Sequence, residues 1–166
     1  MNPLRSFIDA NLALLAGRLR FPCEQVGETI PLPNGTRGRV FRQAIHAPGD
    51  GQPIQPGARF HVRFHLAGMA PRLNILFSLL PIPFFAGLPG FRGKLWLLDE
   101  ASGDFHGLYE WQTVADAEAY AHSFALRFMA RRALPGSLVY DITPLEGAIS
   151  AQHSAVSPSP APLAER

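Results

Sequence analysis

The stretch FRGKLWLLDEASGDFHGLYEW, residues 91–111, decides the fold. Residues 91–98 are aromatic and aliphatic, Asp99 to Asp104 supply turn chemistry, and residues 105–111 resume the strand pattern, which predicts a β-hairpin. Gly103 suits the positive-φ position of its loop. Alternation sets Arg92, Lys94, Trp96 and Leu98 on one face, with Phe91, Leu95 and Leu97 on the other. In the partner strand Phe105, Gly107, Tyr109 and Trp111 share a face opposite His106, Leu108 and Glu110. Both tryptophans of the chain therefore fall in one hairpin, an arrangement suited to the wall of a pocket.

Working outward, residues 60–66 alternate: Phe60, Val62, Phe64 and Leu66 point one way, and His61, Arg63 and His65 the other. A helix would scatter the four apolar residues, so this is a strand with one wet or functional face. Residues 72–80 are apolar at helical spacing through Leu73, Leu76, Phe77 and Leu80, and the prolines that follow predict an irregular segment over 81–90. Thr113 to Asp116 has the form of a capping box, opening a single helix that runs to Arg131 and Arg132 before Pro135-Gly136. Residues 137–142 are a last strand. The order βαββαβ predicts a ferredoxin-like, four-stranded antiparallel sheet with both helices on one face. The bare face then needs a cover, and a second copy of the chain is the economical one.

Before this domain, residues 3–20 form an amphipathic helix whose stripe (Leu4, Phe7, Ile8, Leu12, Leu15, Leu19) is expected to pack on the main domain. Pro33-Asn34-Gly35 joins a small hairpin, and the Pro/Gly-rich run 47–57 reads as a linker. The expected organisation is an N-terminal extension over 1–58, a barrel domain over 59–143, and a disordered tail of Ser, Pro and Ala over 144–166.

Composition narrows the function classes. Hydrophobic residues are 47% of the chain and charged ones 17%, so the surface has little charge to spare, which fits a dimer interface or an apolar pocket. A formal charge of +2, from 15 basic and 13 acidic side chains without a basic run, argues against nucleic acid as a partner. The one cysteine, Cys23, rules out an intramolecular disulfide and favours a reducing, cytoplasmic setting. Loose membrane contact through residues 81–91 stays open, although Pro81, Pro83 and Pro89 break the longest apolar segment.

Gly90-Phe91…Lys94-Leu95-Trp96, Gly107-Leu108-Tyr109 and Ala117-Glu118-Ala119-Tyr120 together resemble the dimeric α+β barrel superfamily, closest to a small bacterial group of monooxygenase-like proteins. The resemblance covers residues 59–142. Two departures from the group's pattern are the extension 1–58 and the proline-broken stretch 78–90. The resemblance implies a homodimer and a cofactor-independent monooxygenase-like activity on an aromatic or polyketide-like small molecule. Its alternatives are a non-catalytic protein of the same fold that binds an apolar ligand, or a peripheral-membrane interaction protein. Such chemistry needs a base to form the substrate anion and fixed donors or positive charge to hold it.

The catalytic candidates are His61, Arg63 and His65, with either histidine as the base. The substrate-binding candidates are Lys94, Trp96, Tyr109, Trp111 and Tyr140. The competing assignments are a solvated or dimer-contact edge strand for His61, Arg63 and His65, and interface packing for Trp96 and Trp111. No metal is expected, because His61 and His65 stand about 13 Å apart on a strand. No cofactor is expected either; haem ligation by one histidine, as in haem-degrading members of the superfamily, is left open.

Overall fold

In the computed structural model residues 2–47, 55–66, 68 and 71–145 are described, and most of the expected linker and the residues after 145 lie outside that set. The elements in chain order are α1 (Pro3–Leu15), β1 (Leu19–Arg20), β2 (Thr29–Pro31), β3 (Arg37–His46), β4 (Ala58–Phe64), α2 (Pro71–Phe77), α3 (Ile82–Phe85), β5 (Phe91–Leu98), β6 (Phe105–Trp111), α4 (Val114–Ala121), α5 (Phe124–Ala130) and β7 (Val139–Pro144). The hairpin read from residues 91–111 is β5–β6, with Gly103 at φ +76° in its turn.

Strands β5-β6-β4-β7 lie side by side and antiparallel with helices between them in sequence, which is the ferredoxin-like α+β arrangement. The sheet does not stop at four strands. Strand β3 pairs along the free edge of β5, and β1 and β2 both pair with β3, giving a seven-stranded sheet. An unpaired β5 would expose a row of backbone donors and acceptors, and the chain covers that edge with its own N-terminal segment. The segment before residue 58 is thus continuous with the sheet it was expected to precede.

The helices cover one face. Phe60, Val62, Trp96, Tyr109 and Trp111 from the sheet pack with Ile82 and Phe85 of α3, Tyr120 of α4 and Leu126 of α5. Residues 81–90, expected to be irregular, hold α3 and turn Ile82, Phe85 and Leu88 inward, while Pro81, Pro83 and Phe84 stay partly exposed. The single helix expected from Thr113 is two. Thr113 Oγ1 accepts from Asp116 N at 3.1 Å and starts α4, and Ser123 Oγ accepts from Leu126 N at 3.2 Å and starts α5. A serine's hydroxyl caps a new helix better than it serves a helix interior. Among the described residues no helix is long and apolar enough to cross a membrane.

The opposite face is not left bare. Leu32 and Val40, from the β2–β3 hairpin, pack with Leu97 as a small second core flanked by Ile30, Leu95 and Leu108. Part of the surface assigned to a second chain is therefore covered in cis.

Helix α1 contradicts its expected packing. It buries Ser6, Ala10 and Ala13 and leaves Leu4, Phe7, Ile8, Leu12 and Leu15 exposed. The reason is steric: α1 and α3 approach so closely that a Cβ added at Gly87 would lie 1.8 Å from the Ser6 carbonyl oxygen. Only small side chains fit such an approach. Ser6 Oγ donates to the Phe84 carbonyl at 2.8 Å and fixes the contact. Gly87→Ala is expected to destabilise the fold by about 1–3 kcal/mol, as overpacked sites do. Urea unfolding measures this, together with faster tryptic cleavage near Arg18; a variant as stable and as resistant as the parent would contradict the close approach.

Candidate functional site

Register divides the sequence-derived candidates between the two faces of the sheet. Phe60 pairs with Tyr109 and Tyr109 with Lys94, so these three look toward the helices. His61 pairs with Leu108 and Arg63 with His106, one step along, so they look away. One pocket lined by His61, Arg63, Lys94 and Trp96 together is thereby ruled out, because adjacent residues on β4 face opposite sides of a one-strand-thick layer. Phe91 also departs from simple alternation. A bulge between Phe91 and Gly93 turns it to the Lys94 side, against Phe85 and Trp111.

On the helix side Lys94 is the unusual residue. It is 5% exposed and no ion pair among the described residues includes it. Its Nζ lies 2.6 Å from Tyr109 Oη, and the Tyr120 hydroxyl donates to the same oxygen at 2.6 Å. Around the amine stand the rings of Trp96 and Tyr109, both 4.2 Å away, and Phe85 at 4.5 Å. Burial, with the Arg42 guanidinium second, pushes the Lys94 amine well below its usual value. Burial likewise raises the Tyr109 and Tyr120 hydroxyls, so both stay protonated. A neutral amine accepts as well as donates, and the chain Tyr120–Tyr109–Lys94 can run with every proton shared. Gly107 leaves the room: a Cβ there would sit 2.8 Å from the Tyr109 ring and 3.5 Å from Lys94 Cε.

A narrow crevice reaches Lys94 between the sheet and the helices. Phe41, Trp96 and Phe105 form its floor, with Asn74, Ser78 and Pro81 on one wall and Phe128, Met129 and Arg132 on the other. Its free volume is about 30 Å³, room for about one water. Arg42 ties the wall to the sheet. It donates to Ser78 Oγ and, at 3.0 Å, to the Ile75 carbonyl at the end of α2, and its guanidinium lies 5.8 Å from the Trp96 ring. Burial lowers its pKa, though a guanidinium keeps its charge. Arg132 donates to Asn74 Oδ1 at 2.9 Å from the other side.

The remaining candidates lie elsewhere. Trp111 is sealed in the core against Tyr109 and Tyr120, its Nε1 without a partner. Tyr140 is half-exposed on edge strand β7 and stacks on Phe60 at 5.1 Å. On the far face His61 Nδ1 meets Asp141 at 3.1 Å, and its Nε2 meets His106 Nδ1 at 3.0 Å. Burial, and then His61, lower His106 to about 4, which keeps it neutral. His65 pairs with Asp104 at 2.8 Å, with Arg63 3.9 Å from the same carboxylate. Concavities of about 330 Å³ beside His61 and Arg63 and about 430 Å³ beside Gln43, Ile45 and Arg59 open on this face.

Sequence reasoning missed Arg42, Asn74 and Ser78. Arg42 faces inward because of a bulge between Val40 and Arg42 that period-two reading cannot see. Asn74 and Ser78 stand between leucines that give a helical stripe, and the stripe turns out to be the outer side. A haem does not suit these residues. His61 faces away from the crevice, and His65 is bound to Asp104.

No protein-family model matches the chain. No curated protein matches it either. Solved structures do. An uncharacterised ferredoxin-fold protein related to antibiotic biosynthesis monooxygenases, from Listeria monocytogenes, superposes with a TM-score of 0.50 at 13% identity, over 65% of this chain and 63% of that one. A haem-degrading enzyme from the same species gives 0.51 at 14% identity, over 67% and 72%. A monooxygenase-like protein from Listeria innocua gives 0.50 at 12% identity, over 69% and 68%. At such identities the likeness is one of fold, and that fold is the ferredoxin-like α+β one.

Proposed function

We propose that the crevice over Lys94 takes a planar aromatic or polyketide-like molecule with an acidic hydroxyl, and that the protein acts on it as a cofactor-independent monooxygenase. The observation that carries this reading is a buried lysine amine with no carboxylate partner among the described residues, boxed by aromatic rings. A lysine whose pKa burial pushes well below its usual value is a better base near neutral pH than a solvated one. The substrate hydroxyl gives its proton to Nζ, leaving an oxyanion and an ammonium, and Arg42 adds a fixed positive charge beside it. Trp96, Phe41 and Phe105 supply flat walls. Dioxygen then accepts electrons from the anion. With no outside reductant the substrate must supply all of them, which favours a methylene conjugated to the hydroxyl: one methylene and one dioxygen become one carbonyl and one water.

The base is Lys94 in this reading and not His61 or His65, whose face is the wrong one. Entry requires α2 to move. That helix is held by the polar contacts of Arg42 and Arg132 while its leucines face outward, so little apolar surface resists a local opening. The aromatic and apolar lining of the crevice supports a second reading, a protein that binds an apolar ligand without turning it over. A homodimer and a cytoplasmic setting complete the proposal. The first rests on the open face around Ile45, Arg59 and Glu110 that the β2–β3 hairpin leaves bare, and the second on an exposed, unpaired Cys23.

Oxygen uptake with dithranol, a phenol with such a methylene, separates the two readings. The parent protein is expected to consume oxygen above the buffer rate, Lys94→Met to lose about a hundredfold or more, and His61→Ala to keep most of the rate. Uptake unaffected by Lys94→Met would contradict the proposal, and binding without uptake would leave the non-catalytic reading.

A second expectation concerns pH. Folding holds Lys94 below its unfolded pKa, so between the two values the unfolded chain carries a proton the folded one lacks, and stability rises with pH. The slope for one proton is about 1.4 kcal/mol per pH unit. Lys94→Met removes it. Denaturant unfolding from near-neutral to mildly alkaline pH should show the variant gaining on the parent at the lower end and the gap closing as pH rises. Parallel curves would mean that Lys94 is charged in the fold.

A further inference from the structure

Helix α1 is built inside out. At 100° per residue Leu4, Ile8, Leu12 and Leu15 fall within roughly 80° of arc, and Ser6, Ala10 and Ala13 take the opposite side. The small arc is the buried one, while Leu4 is 65% and Leu15 85% exposed. The α2 region repeats the inversion: Asn74 and Ser78 are buried, and Leu73, Leu76 and Leu80 are exposed. A helix that packs polar and small residues inward and large apolar ones outward gains nothing from water on its outer side.

Charge is distributed to match. Residues 2–20, 71–90 and 123–134, which carry α1, α2, α3 and α5, contain seven arginines and one acidic residue, Asp9, which pairs with Arg5 at 3.7 Å. Arg5, Arg72, Arg127 and Arg131 are exposed. The other acids lie elsewhere, Asp116 and Glu118 of the helical layer being on α4, over β4 and β7. A second copy laid face to face on this surface would set arginines against arginines.

We infer that the outer side of α1 and α2 is a docking surface for an anionic lipid bilayer. The leucine stripe enters the boundary between headgroups and acyl chains, and the arginines meet the lipid phosphates. The inference does not depend on what Lys94 does.

The test is co-sedimentation of the full chain with phosphatidylcholine vesicles made with and without phosphatidylglycerol. The parent is expected to pellet with the anionic vesicles, less so as salt rises. Ile8→Glu combined with Leu12→Glu should cut the bound fraction about tenfold or more, and Arg5→Glu with Arg72→Glu should weaken binding chiefly at low salt. All four sites are exposed, and an unchanged thermal melt shows that the variants fold. Absence of pelleting with anionic vesicles overturns the inference, as does equal pelleting of the leucine-stripe variant. Light scattering that shows an oligomer dissolved by Ile8→Glu with Leu12→Glu would likewise overturn it, assigning the stripe to a second copy.

Discussion

A buried amine with no counter-charge among the described residues is the constraint around which this structure is arranged. Taking Lys94 out of water disfavours its charged form, and burial, with the Arg42 guanidinium second, pushes its pKa well below the usual value. Three rings stand within 4.5 Å of Nζ, and two tyrosine hydroxyls form a chain ending on it. The β5–β6 register places Lys94 beside Tyr109, Gly107 clears the space between them, and Tyr120 of α4 closes the far side. Without that register the amine would sit on the far face beside Glu110, as an ordinary surface lysine.

The chain's N-terminal part serves the same arrangement. By pairing with β5, strand β3 turns an edge strand into an interior one and brings Arg42 against Ser78 and the Ile75 carbonyl. Arg42 then does three things at once: it lowers the Lys94 pKa, satisfies the last carbonyl region of α2, and lies against Trp96. The helix it holds is weakly committed to the core, since Asn74 and Ser78 are its inward residues. Arg42 shares the attachment of α2 with Arg132, which donates to Asn74.

Much of the fold was legible in the sequence because period two and period 3.6 differ cleanly in residues 60–66 and 91–111. The hairpin, the flanking strands and the capped helix at Thr113 follow from local chemistry alone. What was not legible depends on tertiary contact. The bulges at Val40 and Phe91 shift which side chains share a face, and the break at Ser123 splits one apolar stripe between two helices. The inverted packing of α1 arises from Gly87, some seventy residues away. Of the site, Lys94 and Trp96 were visible as an apolar strand interrupted by a cation. The pairing of β4 with β6 was needed to show that His61 and Arg63 look to the other side, and the β3 bulge to bring in Arg42.

The ionisation of Lys94 in the folded protein is open to direct observation. Heteronuclear NMR of the full chain with isotope-labelled lysine, assigned by the Lys94→Arg variant, reports its side-chain ionisation as pH is varied. The account predicts shifts of a neutral amine at neutral pH, with protonation only on acidification. An ammonium that titrates in the ordinary alkaline range would contradict it.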